Sequence, residues 1–251
     1  MAVRSPVRVL ASYNIKGGVG KTAAAVNLAH LAAEAGHRTL IWDLDPQGAA
    51  SFYFRVKPKI KGGGGRLLER RDLDRHIKGT DFLNLDLLPA DFSYRHLDLA
   101  LNEYKKPTRR LGKLLGGLTA DYDYVFLDCA PSISLVSEGV FSATDVLLIP
   151  TIPTTLSLKT LKQISRFFKK HQLEHVKLLA FYSMVDQRRA LHRDILTDSA
   201  GLDVRMMSTG IPYSAEVERM GLRRAPLTSY STSSPAGQAF RDLWAEIQTH
   251  L

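Results

Sequence analysis

Lys16-Gly-Gly-Val-Gly-Lys-Thr22 is the stretch on which the fold of this chain turns. An apolar, β-rich run, Val7–Tyr13 (VRVLASY), feeds into it, and an Ala/Leu-rich stretch, Lys21–Ala35, leaves it and stops at Gly36. Strand, glycine-rich loop and helix is the order a phosphate-binding loop requires, because amides at the start of a helix point at an anion. Gly17, Gly18 and Gly20 let the backbone N–H groups curl around a phosphate without Cβ clashes, with Val19 between them. Lys21 then supplies charge to the β- and γ-phosphates, and the Thr22 hydroxyl can ligate Mg²⁺. The usual Gly-x-x-x-x-Gly-Lys-[Ser/Thr] pattern is not met, since Ile15 stands at its first glycine. A second lysine, Lys16, opens the loop instead.

Outward from this loop, apolar runs alternate with helical patterns. Thr39–Asp43 (TLIWD), Tyr124–Asp128 (YVFLD), Val146–Ile149, Val176–Phe181 and Val204–Met207 are expected strands. Helices are expected over Asp91–Glu103, Ser134–Phe141, Leu156–Lys170, Arg188–Thr197, Ala215–Met220 and Pro235–His250. Continuous apolar strands between helices predict an α/β fold, a mostly parallel, twisted central sheet with helices on both faces. One domain is expected over residues 1–251. Arg55–Lys78 breaks the rhythm with Lys57, Lys59, Lys61, Arg66, Arg70, Arg71 and Arg75 around Gly62-Gly-Gly-Gly65. Four glycines in a row hold a regular element only at a cost. Residues 55–80 are therefore expected to be a basic, glycine-rich loop insertion, mobile or hinging into a short helix at Leu67–Arg71.

Composition limits the partners. The chain has 251 residues, 45% of them hydrophobic, which suffices for a sizeable core. Its 34 Lys+Arg against 25 Asp+Glu leave a formal charge of +9, which points to a polyanion. The single cysteine, Cys129, excludes an intramolecular disulfide framework and a Cys-x-x-Cys metal site. No run of about 18 apolar residues exists to span a membrane, and Met1-Ala-Val-Arg-Ser-Pro6 lacks the apolar core of a signal peptide. A cytoplasmic protein is expected.

Lys16-Gly-Gly-Val-Gly-Lys-Thr22 resembles the deviant Walker A box of the ParA/MinD family of P-loop ATPases. Asp43-Leu-Asp-Pro-Gln-Gly48 resembles the family's second box, and Phe126-Leu-Asp-Cys-Ala-Pro-Ser132 its Walker B segment, with Ala130 where proline is commoner. Ile149-Pro-Thr-Ile-Pro153 with Leu156–Leu161, and the stretch from Ile211-Pro-Tyr-Ser to Gln238-Ala-Phe, are similar to later parts of the family, the last to ParA proteins in particular. Residues 55–120 match loosely. The resemblance implies ATP and Mg²⁺ as cofactors. It places the nucleotide on Lys16, Gly17, Gly18, Val19, Gly20, Lys21, Thr22 and Ala23, and the metal on Thr22, Asp43 and Asp128. Asp45 would orient the attacking water. Lys16 would cross a dimer interface to the partner's nucleotide, giving Lys16, Lys21 and Asp45 as the catalytic set. Where the family often reads adenine with an asparagine, this chain has Tyr182-Ser183-Met184, so the Ile211-Pro212-Tyr213 loop, through Pro212, is the expected base contact.

The same resemblance implies what the charge is for. Arg188, Arg189 and Arg193 on one expected helix, and Arg219, Arg223 and Arg224 in a later stretch, would form a sequence-independent DNA surface on an ATP-dependent homodimer. Lys159, Lys162, Lys169 and Lys170 lie along another helix. A ParB-like or cargo-adaptor protein would stimulate hydrolysis, and the ATP state would sit on the nucleoid. Two alternatives stay open. A MinD-like membrane cycle would need a basic amphipathic tail, and Arg241–Leu251 offers one arginine against two acids. A metabolic P-loop enzyme of the same fold is the other.

Overall fold

In the computed structural model, which describes residues 7–69, 73–118, 121–197 and 202–251, the glycine-rich loop joins the first strand to the first helix. In chain order come β1 (Arg8–Ser12), α1 (Lys21–Glu34), β2 (Thr39–Asp43), α2 (Ala49–Tyr53) and α3 (Gly63–Glu69). There follow β3 (Lys78–Gly79), β4 (Leu85–Leu88), α4 (Leu97–Asn102), α5 (Pro107–Leu118), β5 (Tyr124–Asp128) and α6 (Leu135–Ala143). The chain then runs through β6 (Val146–Thr151), α7 (Thr155–Lys170), β7 (Lys177–Tyr182), α8 (Ala190–Thr197) and β8 (Arg205–Met206). It closes with α9 (Ala215–Glu218), α10 (Met220–Arg223) and α11 (Pro235–Gln248).

One eight-stranded sheet results, in the order β3-β4-β2-β5-β1-β6-β7-β8. Among the described residues only β3 runs antiparallel, pairing with β4. Alternation along each strand divides the apolar residues between two cores. Val9, Ala11, Leu40, Trp42, Val125 and Leu127 face the layer built with α4, α5, α6 and α7. Leu10, Ile41, Phe126, Val146 and Leu148 face the layer of α1 and α11. Both faces are covered, which is why the strands read as unbroken apolar runs. The tail helix is part of this packing: Leu243, Trp244 and Ile247 are buried in the second core.

The expected α/β class is what the structure shows, with three local corrections. β4, Leu-Asp-Leu-Leu, is a fully paired strand next to β2 that the sequence pattern did not separate from its surroundings. The block 55–80 is not one loop. Helix α3 begins inside the glycine run, with Gly62 and Gly63 at φ 94 and 73 turning the chain into it and Gly64 buried. A 3₁₀ turn, Leu73–His76, and β3 complete the block, while Arg70 and Arg71 of the expected short helix lie outside the described residues. Finally, Asp91–Glu103 is a 3₁₀ turn, Phe92–His96, running into α4 rather than one helix.

Candidate nucleotide site

Register sets the site. Ser12 on β1 and Asp43 on β2 both pair with Asp128 on β5, so three strand ends meet at the carboxyl edge of the sheet, where α/β sheets bind ligands. Above them the loop is fixed by residues the sequence reading passed over. Asn14, fully buried, donates from Nδ2 to the Pro150 carbonyl at 2.9 Å, and its Oδ1 accepts from the Lys16 amide at 3.0 Å. Ser12 Oγ donates to the Lys21 carbonyl at 2.9 Å. Gly20 sits at φ 92, and a Cβ there would lie 2.8 Å from Ser183 Oγ, so both conformation and crowding demand glycine.

α1 starts on Gly20 with no side-chain cap and no acidic residue in its first turn. Its first amides, at Lys21, Thr22 and Ala23, therefore point uncapped into the loop's hollow, a ready anion site. The two lysines of the loop differ in setting. Lys21 is buried, and its Nζ donates to the Lys16 carbonyl at 3.2 Å. Burial lowers its pKa, opposed by the nearby Asp128 and Asp45 carboxylates. The Lys16 ammonium, by contrast, has no hydrogen bond or ion pair to any described residue.

The three aspartates are likewise unequal. Asp43 is buried and its carboxylate is already engaged. Oδ2 accepts from Ser51 N at 2.8 Å and Ser51 Oγ at 2.7 Å, and Oδ1 accepts from Asp45 N at 3.3 Å. Burial pushes its pKa up to about 6. Asp43, expected as a metal ligand, is here a buried bracket that holds the Asp45 turn. Asp45 is half-buried, and its Oδ1 accepts from the Gln47 amide at 2.9 Å, an Asx turn that fixes the side chain. Asp128 is fully buried, yet neither carboxylate oxygen has a hydrogen-bond partner among the described residues. Its pKa is raised well above the carboxylate range, first by burial and then by Asp43, while Thr22 and Lys21 pull it back. A buried carboxylate without a donor is unfavourable unless a cation completes it. With Thr22 on the same side, the donor set fits a magnesium ion that shares its sphere with phosphate oxygens and water. No cluster of three or more His, Cys, Asp or Glu that would make a protein-only cage exists among the described residues.

Beside Gly20 the Tyr182–Val185 and Ile211–Tyr213 segments are tied together. Val185 N donates to Ile211 O at 3.0 Å and Tyr213 N to Val185 O at 2.9 Å. Between them and the start of α1 lies a cavity of about 60 Å³ lined by Gly20, Ala23, Ser183, Met184, Pro212 and Tyr213. Pro212, the expected base contact, thus lines a cavity shared with Gly20 and Ala23 at the start of α1.

A family model described as an AAA domain matches residues 7–181, which include the glycine-rich loop, the ends of β1, β2 and β5, and Asp43, Asp45 and Asp128. The chain belongs to the ParA/MinD family of P-loop ATPases. A relative named chromosome partitioning protein ParA, from Caulobacter vibrioides, is 28% identical over 257 residues, covering 97% of this chain and 94% of its own. A Mycobacterium smegmatis structure described as cobyrinic acid a,c-diamide synthase, with ADP and magnesium bound, superposes with a TM-score of 0.83 at 27% identity, covering 97% of this chain and 95% of that one. The cell division ATPase MinD of Pyrococcus furiosus shares the fold, with a TM-score of 0.79 at 21% identity, 97% of this chain and 99% of that one.

Within this ParA/MinD frame the expected DNA residues fall in two separate places. Arg188 and Arg189 lie in the turn before α8, not on it. Both face Asp186, Arg188 at 2.9 Å and Arg189 at 3.7 Å, and the hydrogen bond from Arg188 holds the Asp186 pKa down at about 2. Arg193 donates to the Gln187 carbonyl at 2.7 Å. Arg219 separates α9 from α10, Arg223 ends α10, and Arg224 follows at φ 51 with its guanidinium 4.6 Å over the Phe52 ring. No described helix is long and apolar enough to cross a membrane.

Proposed function

We propose that this chain is an ATP-driven partition or positioning switch. Its ATP-bound form is a sandwich homodimer that binds DNA without regard to sequence. Hydrolysis, stimulated by a ParB-like or cargo-adaptor partner, releases it, and the cycle moves a plasmid, a chromosome region or a protein assembly over the nucleoid. The observation that carries this reading is the pair of lysines in one loop. Lys21 is turned inward over the hollow, while Lys16, whose carbonyl anchors Lys21, leaves its ammonium unengaged at the mouth. A second cation with no local partner suits a nucleotide held by another copy of the chain.

The residues divide the work. The amides of Gly17, Gly18, Val19, Gly20, Lys21, Thr22 and Ala23 cradle phosphates, and Lys21 neutralises charge that develops on them. Thr22 and Asp128 hold the metal, with Asp43 as the bracket behind. Mg²⁺, when bound, neutralises the phosphate oxygens. Asp45, fixed by its turn, positions the attacking water; phosphoryl transfer needs that placement more than a strong base. Lys16→Ala should still bind ATP but stay monomeric and inactive with a slowly hydrolysed analogue, as read by light scattering. Asp45→Ala should bind ATP and dimerise while losing hydrolysis. An ATP-independent dimer, insensitive to Lys16, contradicts the sandwich.

The M. smegmatis relative's description raises a second reading, an ATP-dependent amidoligase of large polycarboxylates. That chemistry needs an acceptor pocket beside Asp45. The cavity there, lined by Leu44, Pro46, Tyr94, Asp98, Ser132 and Ser137, holds about 250 Å³, below the usual range for a large ligand, and contains a carboxylate that would repel one. ATP turnover that strictly required an added acid and an amide donor would favour it. The membrane-cycling alternative is opposed by the burial of Leu243, Trp244 and Ile247, which leaves the tail no free apolar stripe.

A further inference from the structure

The basic block that follows α2 takes no part in the nucleotide site. It folds into the wall of a cavity of about 710 Å³ at the β3 edge of the sheet, lined by Lys57, Lys59, Lys61, Arg66, Arg75 and Lys78, with no carboxylate among the described lining residues. Lys57, Lys59, Lys61, Arg66 and Lys78 have no ion pair to any described residue. Asp91 offsets part of the charge at Lys59, but cations gathered in one hollow repel each other, and an anion spread over several of them relieves that repulsion. The hollow also has a neighbour. Arg55, immediately before it, donates from Nη2 to the Arg223 carbonyl at 3.1 Å and pairs with Asp81 at 3.4 Å. Arg224 Nε reaches the Phe52 carbonyl at 3.1 Å. Helix α2 is thus a joint whose one side carries α10 with Arg219, Arg223 and Arg224, and whose other side opens on the lysines.

We propose that this cavity is a second phosphodiester-binding site, and that DNA lies along a band from α10 across α2 to β3. The proposal rests on the DNA reading above and gives it residues that lie in the first third of the chain. Lysines on flexible stems are point charges with three rotatable donors; they suit a repeating, sequence-independent backbone better than one fixed small anion, which favours convergent, rigid donors. The volume, far more than one phosphate occupies, agrees with a chain of phosphates. Arg219, Arg223 and Arg224 alone would give a duplex one short contact at this end of each protomer. With the lysine hollow, each protomer offers two, joined through α2.

The test uses the full chain in its ATP-analogue state and a random-sequence duplex, read by fluorescence anisotropy across a salt series. Combined Lys57→Ala, Lys59→Ala and Lys61→Ala should lower the slope of log affinity against log salt by roughly one per lysine. DNA-free ATPase activity, measured in parallel, should match the wild type and so certify the fold. A lysine-selective methylation footprint should show Lys57, Lys59, Lys61 and Lys78 protected by duplex. A wild-type salt slope in the triple variant, or lysines left unprotected, overturns the proposal. So does wild-type DNA binding combined with lysine-dependent retention on phosphatidylglycerol vesicles, which would make the hollow a lipid site. If wild-type protein binds duplex and Arg219→Glu, Arg223→Glu, Arg224→Glu abolishes it while the lysine variant is unaffected, only this inference fails. If the wild type binds no duplex in the ATP state, the DNA reading fails and takes this site with it.

Discussion

The Asp128 carboxylate is fully buried and takes no hydrogen bond from a described residue, and Asp43 stands paired with it across β2 and β5. Both effects raise its pKa, so without a metal the neutral form is the cheaper occupant of the position. Asp128→Asn keeps the shape and removes the ionisable group. Thermal denaturation of the nucleotide-free variant should give a Tm equal to or above that of the wild type, while calorimetric titration should show Mg·ATP affinity reduced at least about tenfold, for loss of a charge-assisted contact worth roughly 1.5–3 kcal/mol. A destabilised variant with unchanged Mg·ATP affinity would show that Asp128 serves the core instead. Lys21, Thr22, Asp45 and Asp128 were all legible in the sequence because loop and strand-end chemistry is local and its spacing is short. Asn14 was not, since its carbonyl partner, Pro150, lies 136 residues away. The bracket at Asp43 was hidden for a related reason: Ser51, which donates to its carboxylate, sits eight residues on, across a turn that no periodicity describes.

At the scale of elements, the glycine run makes the sharpest case. Helix α3 contains Gly64, where a Cβ would stand 2.8 Å from both Leu97 Cδ2 and Tyr94 Cδ1, and Gly65, where nothing lies within 4 Å. The first glycine lets α3 dock on α4 and the turn before it; the second has no such reason to be glycine. Gly64→Ala should therefore cost about 1–3 kcal/mol through forced repacking. Gly65→Ala should raise stability by about 0.5–1 kcal/mol, because alanine gives up less backbone freedom in a helix. Urea unfolding of the two variants checks the opposite signs, and equal signs would contradict the docked helix. The sequence suggested a loop here because flexibility was inferred from composition, whereas close approach to Tyr94 and Leu97 is a tertiary fact. β4 was missed on length: four residues, flanked by Asn84 and Pro89, carry too little alternation to stand out. The longer strands and α1, α7 and α11 came through with boundaries shifted by only a residue or two.

For the molecule as a whole, α1 runs beneath the loop and is stitched to the C-terminal part of the chain. Asn27 Oδ1 accepts from Thr228 N at 3.0 Å, and His30 Nδ1 lies 2.9 Å from Thr228 Oγ1. His30 is buried, and that burial lowers its pKa, with Arg241 adding to the effect and Glu34 opposing it. Above about pH 6.5, the ordinary histidine value, folded and unfolded chains are both neutral there and nothing is lost. As pH falls through that value the unfolded chain takes up the proton and the folded chain resists, so stability should decline with acidification. Tm measured from pH 8 to pH 5 should fall below about 6.5, and less steeply in His30→Gln; an identical slope in the variant would remove His30 from the account. The division of the apolar residues into two cores has an optical consequence as well. The chain's two tryptophans are shared one to each side of the sheet, Trp42 in the layer of α4 to α7 and Trp244 in the layer of α1 and α11, where its ring meets Tyr124 at 5.3 Å and Phe126 at 6.0 Å. Neither indole N–H has a hydrogen-bond partner among the described residues, and both rings are buried, so both should emit toward the blue and shift red on exposure. Trp42→Phe and Trp244→Phe would each leave a single fluorophore reporting its own layer, and because the strands between the layers are common to both, the two melting curves should fall on one another.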